Sequence, residues 1–301
     1  MNSVFVSAAA GLLATPGFTA DIYVDASAGS GGDGSQSTPF QSIQTAIDDA
    51  GTVAGDVVNI VGDGNTYQEE VTVDKSVTLL GTGSSQPVVT NTASRPDVIQ
   101  VTAPDVTIDN LQVHLDATIV GGFWKNGILA QHNTTRNSRS SLGQFDGLTI
   151  QNSTFTVEPG TSGTFGLKAV SLNSGAGLFG PKVRLLDNEV PENTISGQVD
   201  IEPFGNSGIS FLPSGLGLYG WGFELFGVQP RANGNNVIAW FRDIQVQQVT
   251  NILIDGNTFR GGGLEVSNQF PQGFALVSEN DFDTELVFVD SSGDQTQTTD
   301  H

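Results

Sequence analysis

One short strand pattern returns along the chain, and it constrains the fold more than any other feature of the sequence. In VDKSVTLLGTG, residues 73–83, polar and apolar residues alternate as far as a Leu-Leu pair, and a glycine follows. Five later stretches share this plan and add an asparagine followed by an apolar residue: VTIDNLQV (106–113), LTIQNSTF (148–155), RLLDNEV (184–190), LIDGNTF (253–259) and LVSENDF (276–282). Such alternation indicates short strands with one buried face.

The asparagines of these stretches predict how the strands stack. They are Asn110, Asn152, Asn188, Asn257 and Asn280, with separations of 42, 36, 69 and 23 residues. The shortest separation fits one turn of a solenoid, and the longer ones fit turns that carry loop insertions. Asparagine adopts the left-handed backbone conformation at low cost, and stacked side-chain amides hydrogen-bond to one another. We therefore predict a ladder of these residues at equivalent corners of stacked turns, with parallel strand pairing between turns.

An antiparallel sandwich is the alternative architecture. It predicts Asn-Gly or Asp-Gly turns between its strands. Asp255-Gly256 instead lies inside a repeat, so the sequence favours the stacked coil.

Residues 38–51, TPFQSIQTAIDDAG, predict an amphipathic helix near the start of the coil. Thr38 is the predicted N-cap, Pro39 takes the first helical position, Gln41 completes a capping box, and Gly51 ends the helix. Apolar residues recur at helical spacing on one face: Phe40, Ile43, Ala46, Ile47 and Ala50. We expect this face to cover the open end of the strand stack, where unpaired strand edges would otherwise aggregate.

Charge and composition limit the partners of the chain. It has 32 acidic and 11 basic residues among 301, a net charge of −21. Such a field repels nucleic acid and anionic membrane surfaces. The chain has no cysteine, which excludes disulfides and thiolate metal sites. No stretch has the roughly 18 consecutive apolar residues of a membrane-spanning helix, so neither nucleic-acid binding nor membrane insertion is expected.

The first 20 residues form a separate segment. Residues 4–20, VFVSAAAGLLATPGFTA, suit a secretory signal cleaved before Asp21, although no Lys or Arg precedes the apolar run. An N-terminal coil or assembly arm is the alternative interpretation. A secretory signal predicts an extracellular or cell-surface protein.

A family resemblance lies in two stretches near the start of the chain. They are residues 22–50, from IYVDASAGSGGDGS to QTAIDDA, and residues 55–81, GDVVNIVGDGNTYQEEVTVDKSVTLLG. They resemble the N-terminal region of right-handed parallel β-helix proteins, which include pectate lyases, pectin methylesterases, polygalacturonases, alginate and chondroitin lyases, phage tailspikes and surface adhesins. The resemblance covers about residues 21–290. It implies an all-β, single-stranded right-handed parallel β-helix, a solenoid with an N-terminal capping α-helix and loop insertions.

This fold predicts the boundaries of the β-helix domain, its loop insertions and its tail. The insertions are predicted near 117–145 and 203–236, and a polar tail occupies 291–301. Because members of one fold have different activities, the resemblance specifies the fold and not the reaction.

Among the enzymes of this superfamily, the sequence favours a polysaccharide lyase over a hydrolase or a methylesterase. NTYQE, residues 65–69, is similar to pectin methylesterases, but their Gly-Arg-Pro-Trp-like segment is absent. Galacturonan hydrolases need clustered aspartates with Gly-His-Gly and Arg-x-Lys signatures, and these are absent too. A lyase needs a cation that neutralises the uronate of its substrate and a base that removes a proton. This less specific requirement keeps lyase activity open.

The loop at 121–145 supplies the candidate catalytic residues: Lys125, His132, Arg136 and Arg139. Trp124 is the candidate residue that stacks on a sugar ring, while a cation beside it meets a carboxylate. The alternative interpretation is a solvated loop whose charges balance nearby acids.

Two further segments supply candidate ligand contacts. The apolar stretch at 203–236 contains Tyr219 and Trp221, and the strand after it contains Arg242, all candidate substrate-binding residues. Packing on the coil or contact with another subunit is the alternative for this stretch. Asp25 and Asp33, in the glycine-rich DASAGSGGDGS, are the candidate ligands for Ca²⁺, the one cofactor considered. Their spacing fits neither an EF-hand nor the nonapeptide calcium repeat, and a flexible link is the alternative.

These observations predict a secreted or surface β-helix protein that binds or processes polysaccharide, as a uronate lyase or as a sugar-binding module without turnover. The alternative is a structural or adhesive module of a cell surface, extracellular filament or phage tail, which self-associates through 203–236. Uronate elimination and self-association are the two properties that separate these hypotheses.

Overall fold

The structure of the protein is a computed structural model. The structure describes residues 19–91, 97–116, 125–131, 145–158, 166–173, 182–190, 219–226, 229–233, 236–237, 242–247, 251–255, 257–259, 264–267, 274–278 and 280–282. The predicted signal at 1–20, except its last two residues, and the predicted tail at 291–301 lie outside these residues. No helix in the described ranges has the length and hydrophobicity needed to cross a membrane.

In these ranges the chain forms one helix, α1 (Ile43–Asp48), and 24 strands. The strands are β1 (Asp21–Val24), β2 (Val57–Val61), β3 (Thr66–Gln68), β4 (Val71–Val73), β5 (Thr78–Thr82), β6 (Val88–Thr90), β7 (Asp97–Val101), β8 (Thr107–Asp109), β9 (Gln112–Asp116), β10 (Lys125–Gln131), β11 (Thr149–Gln151), β12 (Thr154–Glu158), β13 (Gly166–Asn173), β14 (Lys182–Leu186), β15 (Glu189–Val190), β16 (Tyr219–Phe226), β17 (Gln229–Asn233), β18 (Asn236–Val237), β19 (Arg242–Gln247), β20 (Asn251–Asp255), β21 (Thr258–Phe259), β22 (Leu264–Ser267), β23 (Phe274–Ser278) and β24 (Asp281–Phe282).

The described strands form three parallel sheets that coil around one interior. Sheet 1 has the order β1-β2-β5-β8-β11-β14-β17-β20-β23, sheet 2 has β3-β6-β9-β12-β15-β18-β21-β24, and sheet 3 has β4-β7-β10-β13-β16-β19-β22. From β2 onward, consecutive strands enter sheets 1, 2 and 3 in turn, so the fourth strand returns beside the first. The predicted coil of stacked parallel strands is therefore confirmed.

Alternation along each strand produces continuous apolar rows inside the coil. The rows contain Val58, Leu79, Ile108, Ile150 and Leu185 in sheet 1, Tyr67, Val89, Val113 and Phe155 in sheet 2, and Val71, Ile99, Ile128 and Val170 in sheet 3. All of these side chains are buried, and most have no exposed area. Burial of each large aliphatic or aromatic side chain stabilises the fold by about 1.5–3 kcal/mol, so stacking supplies the core that a single turn lacks.

Strands occur inside both segments predicted as loop insertions. Residues 125–131 form β10, and residues 219–226, 229–233 and 236–237 form β16, β17 and β18, which make one ordinary turn of the coil. Phe223 pairs in register with Val170, an interior residue without exposed area. Part of 203–236 therefore belongs to the coil itself, and a subunit contact through this segment stays a prediction.

The five predicted corner asparagines occupy two adjacent positions instead of one. Asn110 and Asn152 directly follow sheet 1 strands and have left-handed φ angles of 57° and 50°. In the next turn that position belongs to Asp187, with φ 53°. Asn188 lies one residue later and is buried. Asn257 and Asn280 share the later position, two residues after their strands.

Both asparagine positions link neighbouring turns by hydrogen bonds. The Asn110 amide donates to the Gly81 carbonyl at 2.8 Å, and the Asn188 amide donates to the Ile150 carbonyl at 2.9 Å. The Asn257 backbone N–H and side-chain amide both donate to Asn280 Oδ1, each at 2.9 Å. The expected single column therefore differs from the structure, because a left-handed turn accepts aspartate as well as asparagine and leaves the next position to the buried amide.

Helix α1 starts later and ends earlier than predicted. Its N-cap is Ser42, whose side chain accepts the Thr45 N–H, and its C-cap is Asp49 rather than Gly51. The predicted N-cap Thr38 instead donates its hydroxyl to Asp33 in the preceding turn. Phe40 forms a parallel bridge with Val24, and this extended conformation prevents the helix from starting at Pro39. The predicted helix exists, but its predicted bounds are wrong.

Candidate functional site

Most of the predicted catalytic loop lies outside the described residues. This applies to Trp124, His132, Arg136 and Arg139. Lys125 is the first residue of β10 and pairs with Leu167 of β13. The catalytic and stacking roles of this loop stay predictions.

The structure brings two predicted substrate-binding residues together. Trp221 of β16 pairs directly with Arg242 of β19 in sheet 3, and Tyr219 begins β16 two residues earlier. Their row continues through Lys168 to Asn126 and Asp97. Asn126 and Asp97 are buried and lie two residues before interior residues of their strands. The binding role of Tyr219, Trp221 and Arg242 stays a prediction.

The two predicted calcium ligands hold the backbone of the N-terminal loop. Asp25 accepts hydrogen bonds from the N–H and hydroxyl of Ser27 at 2.8 and 2.7 Å and from Asn65 Nδ2 at 3.0 Å. The Ser27 hydroxyl is the main reason that the pKa of Asp25 is lowered. Asp33 accepts from Ser35 N at 3.0 Å and from the Thr38 hydroxyl. In the described part of the chain, no group of three or more His, Asp or Glu side chains is arranged to hold a metal, and calcium binding stays a prediction.

The turn at Asp33 predicts a loss of stability in acid. Hydrogen bonds from Thr38 and then Ser35 lower the pKa of Asp33 from 3.8 to about 2. Because the folded-state pKa is lowered, the stabilisation is present above the unfolded value and is lost as pH falls through about 2. We expect Asp33→Asn to reduce the decline of the unfolding free energy between about pH 4 and pH 2. Urea titrations across this range would measure it, and an unchanged decline would contradict the assignment.

The outer side of sheet 1 carries an ordered polar surface that the sequence analysis did not identify. Asp109 of β8 and Gln151 of β11 are register neighbours. Gln151 Nε2 donates to Asp109 Oδ2 at 2.7 Å, and Asn152 Nδ2 donates to Asp109 Oδ1 at 2.8 Å. Both oxygens of this carboxylate are therefore fixed by amides of the next turn.

Cationic residues occupy the adjoining strands of the same outer side. In β14, Val183 and Leu185 are buried, whereas Arg184 between them is exposed. Arg184 pairs directly with Arg231 of β17, and Lys182 lies two residues before Arg184 on the same face. In the described part of the chain, Arg184 makes no ion pair. We call Asp109, Gln151, Lys182, Arg184 and Arg231 the Arg184 surface.

The Arg184 surface is unusual in its electrostatics. The chain has only 11 basic residues and a net charge of −21, yet this surface contains three of the cations within two adjacent strands. Like charges directly opposite each other in a sheet are destabilising. An anion beside the exposed Arg184 guanidinium would accept planar, bidentate hydrogen bonds. The alternation in KVRLL indicates that Arg184 lies on the other face of the strand from its buried neighbours. That Arg231, 47 positions later, lies beside it depends on the register of two turns.

Comparison with known proteins gives the fold. No protein-family model matches the chain, and no curated protein matches it in sequence. A rhamnogalacturonan lyase structure aligns with a TM-score of 0.51 and 13% identity over 89% of this chain. The fold is a parallel β-helix. The β-helix described here spans 64% of the length of that lyase chain.

Two other solved structures align with this β-helix at lower TM-scores. A pectin methylesterase from Aspergillus niger has a TM-score of 0.37 and 15% identity, with 93% of this chain and 88% of the esterase covered. A PL6 family alginate lyase has a TM-score of 0.41 and 14% identity, with 94% of this chain and 41% of the lyase covered.

Proposed function

We propose that the protein binds an acidic polysaccharide along the outer side of sheet 1, with the Arg184 surface meeting its carboxylates. The observation that carries this proposal is the direct pairing of the exposed Arg184 with Arg231. A uronate polymer supplies one carboxylate per uronate unit, and arginine binds carboxylates in bidentate geometry. The surface would therefore select its ligand by charge.

The form of the sheet supports a chain-like ligand. Parallel strands follow one another every 4.8 Å or so, which gives a long, even surface across sheet 1. Asp109 and Gln151 flank the cations on the side of the earlier turns. Sugar hydroxyl groups both donate and accept hydrogen bonds, so the carboxylate and the amide match them. Carboxylates on the ligand would lie over the cations, and hydroxyls would lie over the Asp109 pair.

The acidic charge of the rest of the protein is compatible with such a ligand. At physiological ionic strength, exposed charges more than about 8 Å apart are largely screened. The charges nearest a bound ligand therefore count most, and in the Arg184 surface these are three cations and the Asp109 carboxylate. Added salt should weaken binding, because the contact is electrostatic.

A uronate lyase activity is the finer proposal. The Arg184 surface would neutralise the uronate, and a base would remove the proton that elimination requires. The candidates for that base remain Lys125, His132, Arg136 and Arg139. Because its ligand would be extracellular, we also place the protein outside the cell or at its surface.

Binding measurements test the first proposal. Isothermal titration would compare polygalacturonate and alginate with a neutral galactan of similar length. A hydrogen bond to a charged group contributes about 1.5–3 kcal/mol, and about 1.4 kcal/mol corresponds to a tenfold change in affinity. We expect Arg184→Ala to weaken uronate binding at least about tenfold, and the double variant with Arg231→Ala to weaken it further.

The competing loop provides the control. Trp124→Ala and Lys125→Ala should leave uronate affinity unchanged if the Arg184 surface is the site, whereas a role of Lys125 as the base would show in turnover and not in affinity. A tenfold loss in these variants, with Arg184→Ala neutral, would move the site to the loop. No binding of any uronate polymer, together with self-association in light scattering, would instead favour the structural or adhesive alternative.

An eliminase assay tests the finer proposal. Absorbance of unsaturated uronate products, followed with and without Ca²⁺, reports elimination directly. Binding without product would identify a sugar-binding module, and product formed only with Ca²⁺ would support calcium binding.

A further inference from the structure

Two buried polar side chains meet near the start of neighbouring strands in sheet 3. Asp97 begins β7 and pairs in register with Asn126 of β10. Asp97 is 9% exposed and Asn126 is 6% exposed, and the Ile99 and Ile128 pair two residues further along has no exposed area. Asn126 Nδ2 donates to Asp97 Oδ1 at 2.7 Å. A carboxyl and a carboxamide from successive turns therefore contact each other away from solvent.

One oxygen of this pair lacks a donor. Asn126 Oδ1 is buried and finds no hydrogen-bond partner in the described part of the chain. Buried polar atoms of folded proteins are nearly always hydrogen-bonded. An ionised carboxylate only accepts hydrogen bonds, whereas a protonated carboxyl also has one O–H donor. A proton on Asp97 would therefore supply the donor that Asn126 Oδ1 lacks.

We propose that Asp97 keeps its proton in the folded protein and forms a cyclic pair of two hydrogen bonds with Asn126. The O–H at Asp97 Oδ2 donates to Asn126 Oδ1, beside the bond from Asn126 Nδ2 to Asp97 Oδ1. Carboxyl and carboxamide groups are both planar forks, so the first bond brings the atoms of the second side by side. The pair links two turns of the coil and does not depend on the proposed polysaccharide binding.

The surroundings of Asp97 favour the protonated form. Burial is the main reason that the pKa of Asp97 is raised; the hydrogen bond from Asn126 opposes this rise, and the negative charge of Glu70 adds to it. Asn91 donates its amide to the backbone carbonyl of Asp97 at 2.7 Å, and not to the carboxyl. Across the residues that the structure describes, Asp97 forms no ion pair. Nothing there offsets the cost of a buried negative charge.

Two lysines are the competing partners for Asp97. Lys125 precedes Asn126 in β10, and Lys168 of β13 pairs with Asn126 in register. An ammonium group beside Asp97 would favour the ionised carboxylate and lower its pKa. The titration of Asp97 therefore decides between a proton shared with Asn126 and an ion pair.

The cyclic pair makes the link between the two turns sensitive to pH. Because the folded-state pKa of Asp97 is raised above its ordinary value of 3.8, the stabilisation is present below that value and is lost as pH rises through the folded value. After ionisation, a carboxylate oxygen faces the carbonyl oxygen of Asn126 with no proton between them. Asp97 thus acts in the opposite sense to Asp33, whose contribution is lost in acid.

Carbon NMR of the full-length wild-type protein, labelled with carbon-13 in its aspartates, tests the proton directly. Triple-resonance spectra assign the Asp97 carboxyl without any variant. We expect this carboxyl to titrate above 3.8, whereas the Asp33 carboxyl should titrate at about 2. Titration of Asp97 at or below 3.8 would overturn the proposal, because it would show a carboxylate held in its ionised form.

Stability measurements test the effect on the link between turns. The carboxamide introduced by Asp97→Asn can make both hydrogen bonds at every pH, so this variant should lack the pH dependence that comes from the proton. Between the unfolded and folded pKa values of Asp97, the unfolding constant of the wild type should rise up to about tenfold per pH unit relative to that of Asp97→Asn. Asp74→Asn changes an exposed aspartate of another turn and should keep the wild-type slope.

Hydrogen exchange locates the change within the coil. Protection factors of amides in β10 should fall in the wild type as pH rises through the folded pKa of Asp97, and those in Asp97→Asn should not. Parallel stability curves for wild type and Asp97→Asn, or equal protection of β10 at all pH values, would contradict the pH-dependent link.

Discussion

Gly81→Ala is expected to lower the unfolding free energy by at least about 3 kcal/mol, because the added methyl group has no space. A Cβ at Gly81 would lie 2.0 Å from the carbonyl oxygen of Asn110 and 2.8 Å from Cδ of Pro87. Asn110 is the corner of the next turn, and its amide donates to the Gly81 carbonyl at 2.8 Å. The corner would have to move away and lose this bond. Urea denaturation followed by circular dichroism would measure the change.

Gly29→Ala is the matched control for Gly81→Ala. No atom lies within 4 Å of a Cβ built at Gly29, so this substitution should change stability by less than about 0.5 kcal/mol. Equal effects at the two glycines would show that the turns do not approach as closely as the structure has them.

Glu69→Ala is the second variant for which we expect a large effect. The Glu69 carboxylate accepts hydrogen bonds from the Ser42 hydroxyl at 2.7 Å and from the N–H groups of Ile43 and Gln44 at 2.8 and 2.9 Å. Loss of this carboxylate leaves two N–H groups of the first helical turn without their acceptor. Since a hydrogen bond to a charged group contributes about 1.5–3 kcal/mol, we expect a destabilisation of roughly 2–4 kcal/mol.

Helix α1 should detach from the coil before the remainder of the protein unfolds in Glu69→Ala. Hydrogen exchange of α1 amides would report this detachment, and urea denaturation would give the free energy. Glu69→Gln keeps one acceptor and should be intermediate. Asp74→Ala removes an exposed carboxylate nearby and should have little effect. Unchanged exchange in α1 of Glu69→Ala would contradict the proposed anchor.

Helix α1 also shows which of its features could be predicted from sequence patterns. Spacing of Ile43, Ala46 and Ile47 correctly indicated the buried face. The predicted start of the helix was wrong, because the sequence does not reveal that Phe40 pairs with β1. Nor does it reveal that Glu69, 26 positions from Ile43, accepts hydrogen bonds from the first helical turn. Local signals at Thr38 and Pro39 were outweighed by contacts made across the coil.

In the candidate site too, sequence patterns indicate some features and the register between turns decides others. The composition of the loop at 121–145 indicates a site, and most of this loop lies outside the described residues. Arg184 belongs to the repeat RLLDNEV, whose pattern indicates only a stacked strand and its corner. Its significance depends on Arg231, which the register of β14 and β17 places directly opposite. Alternation alone indicates the exposed side of a strand but not its neighbour on the next turn.

By itself the sequence determined the repeated strands, their inner and outer sides and the asparagine-rich corners, because side-chain alternation and backbone preference act over a few residues. The tertiary structure alone decided which residues of successive turns meet: Arg184 with Arg231, and Asp97 with Asn126 and Lys168. The reason is physical. Register between turns depends on how many residues each turn contains and on how its core packs, and neither quantity is encoded in any single strand.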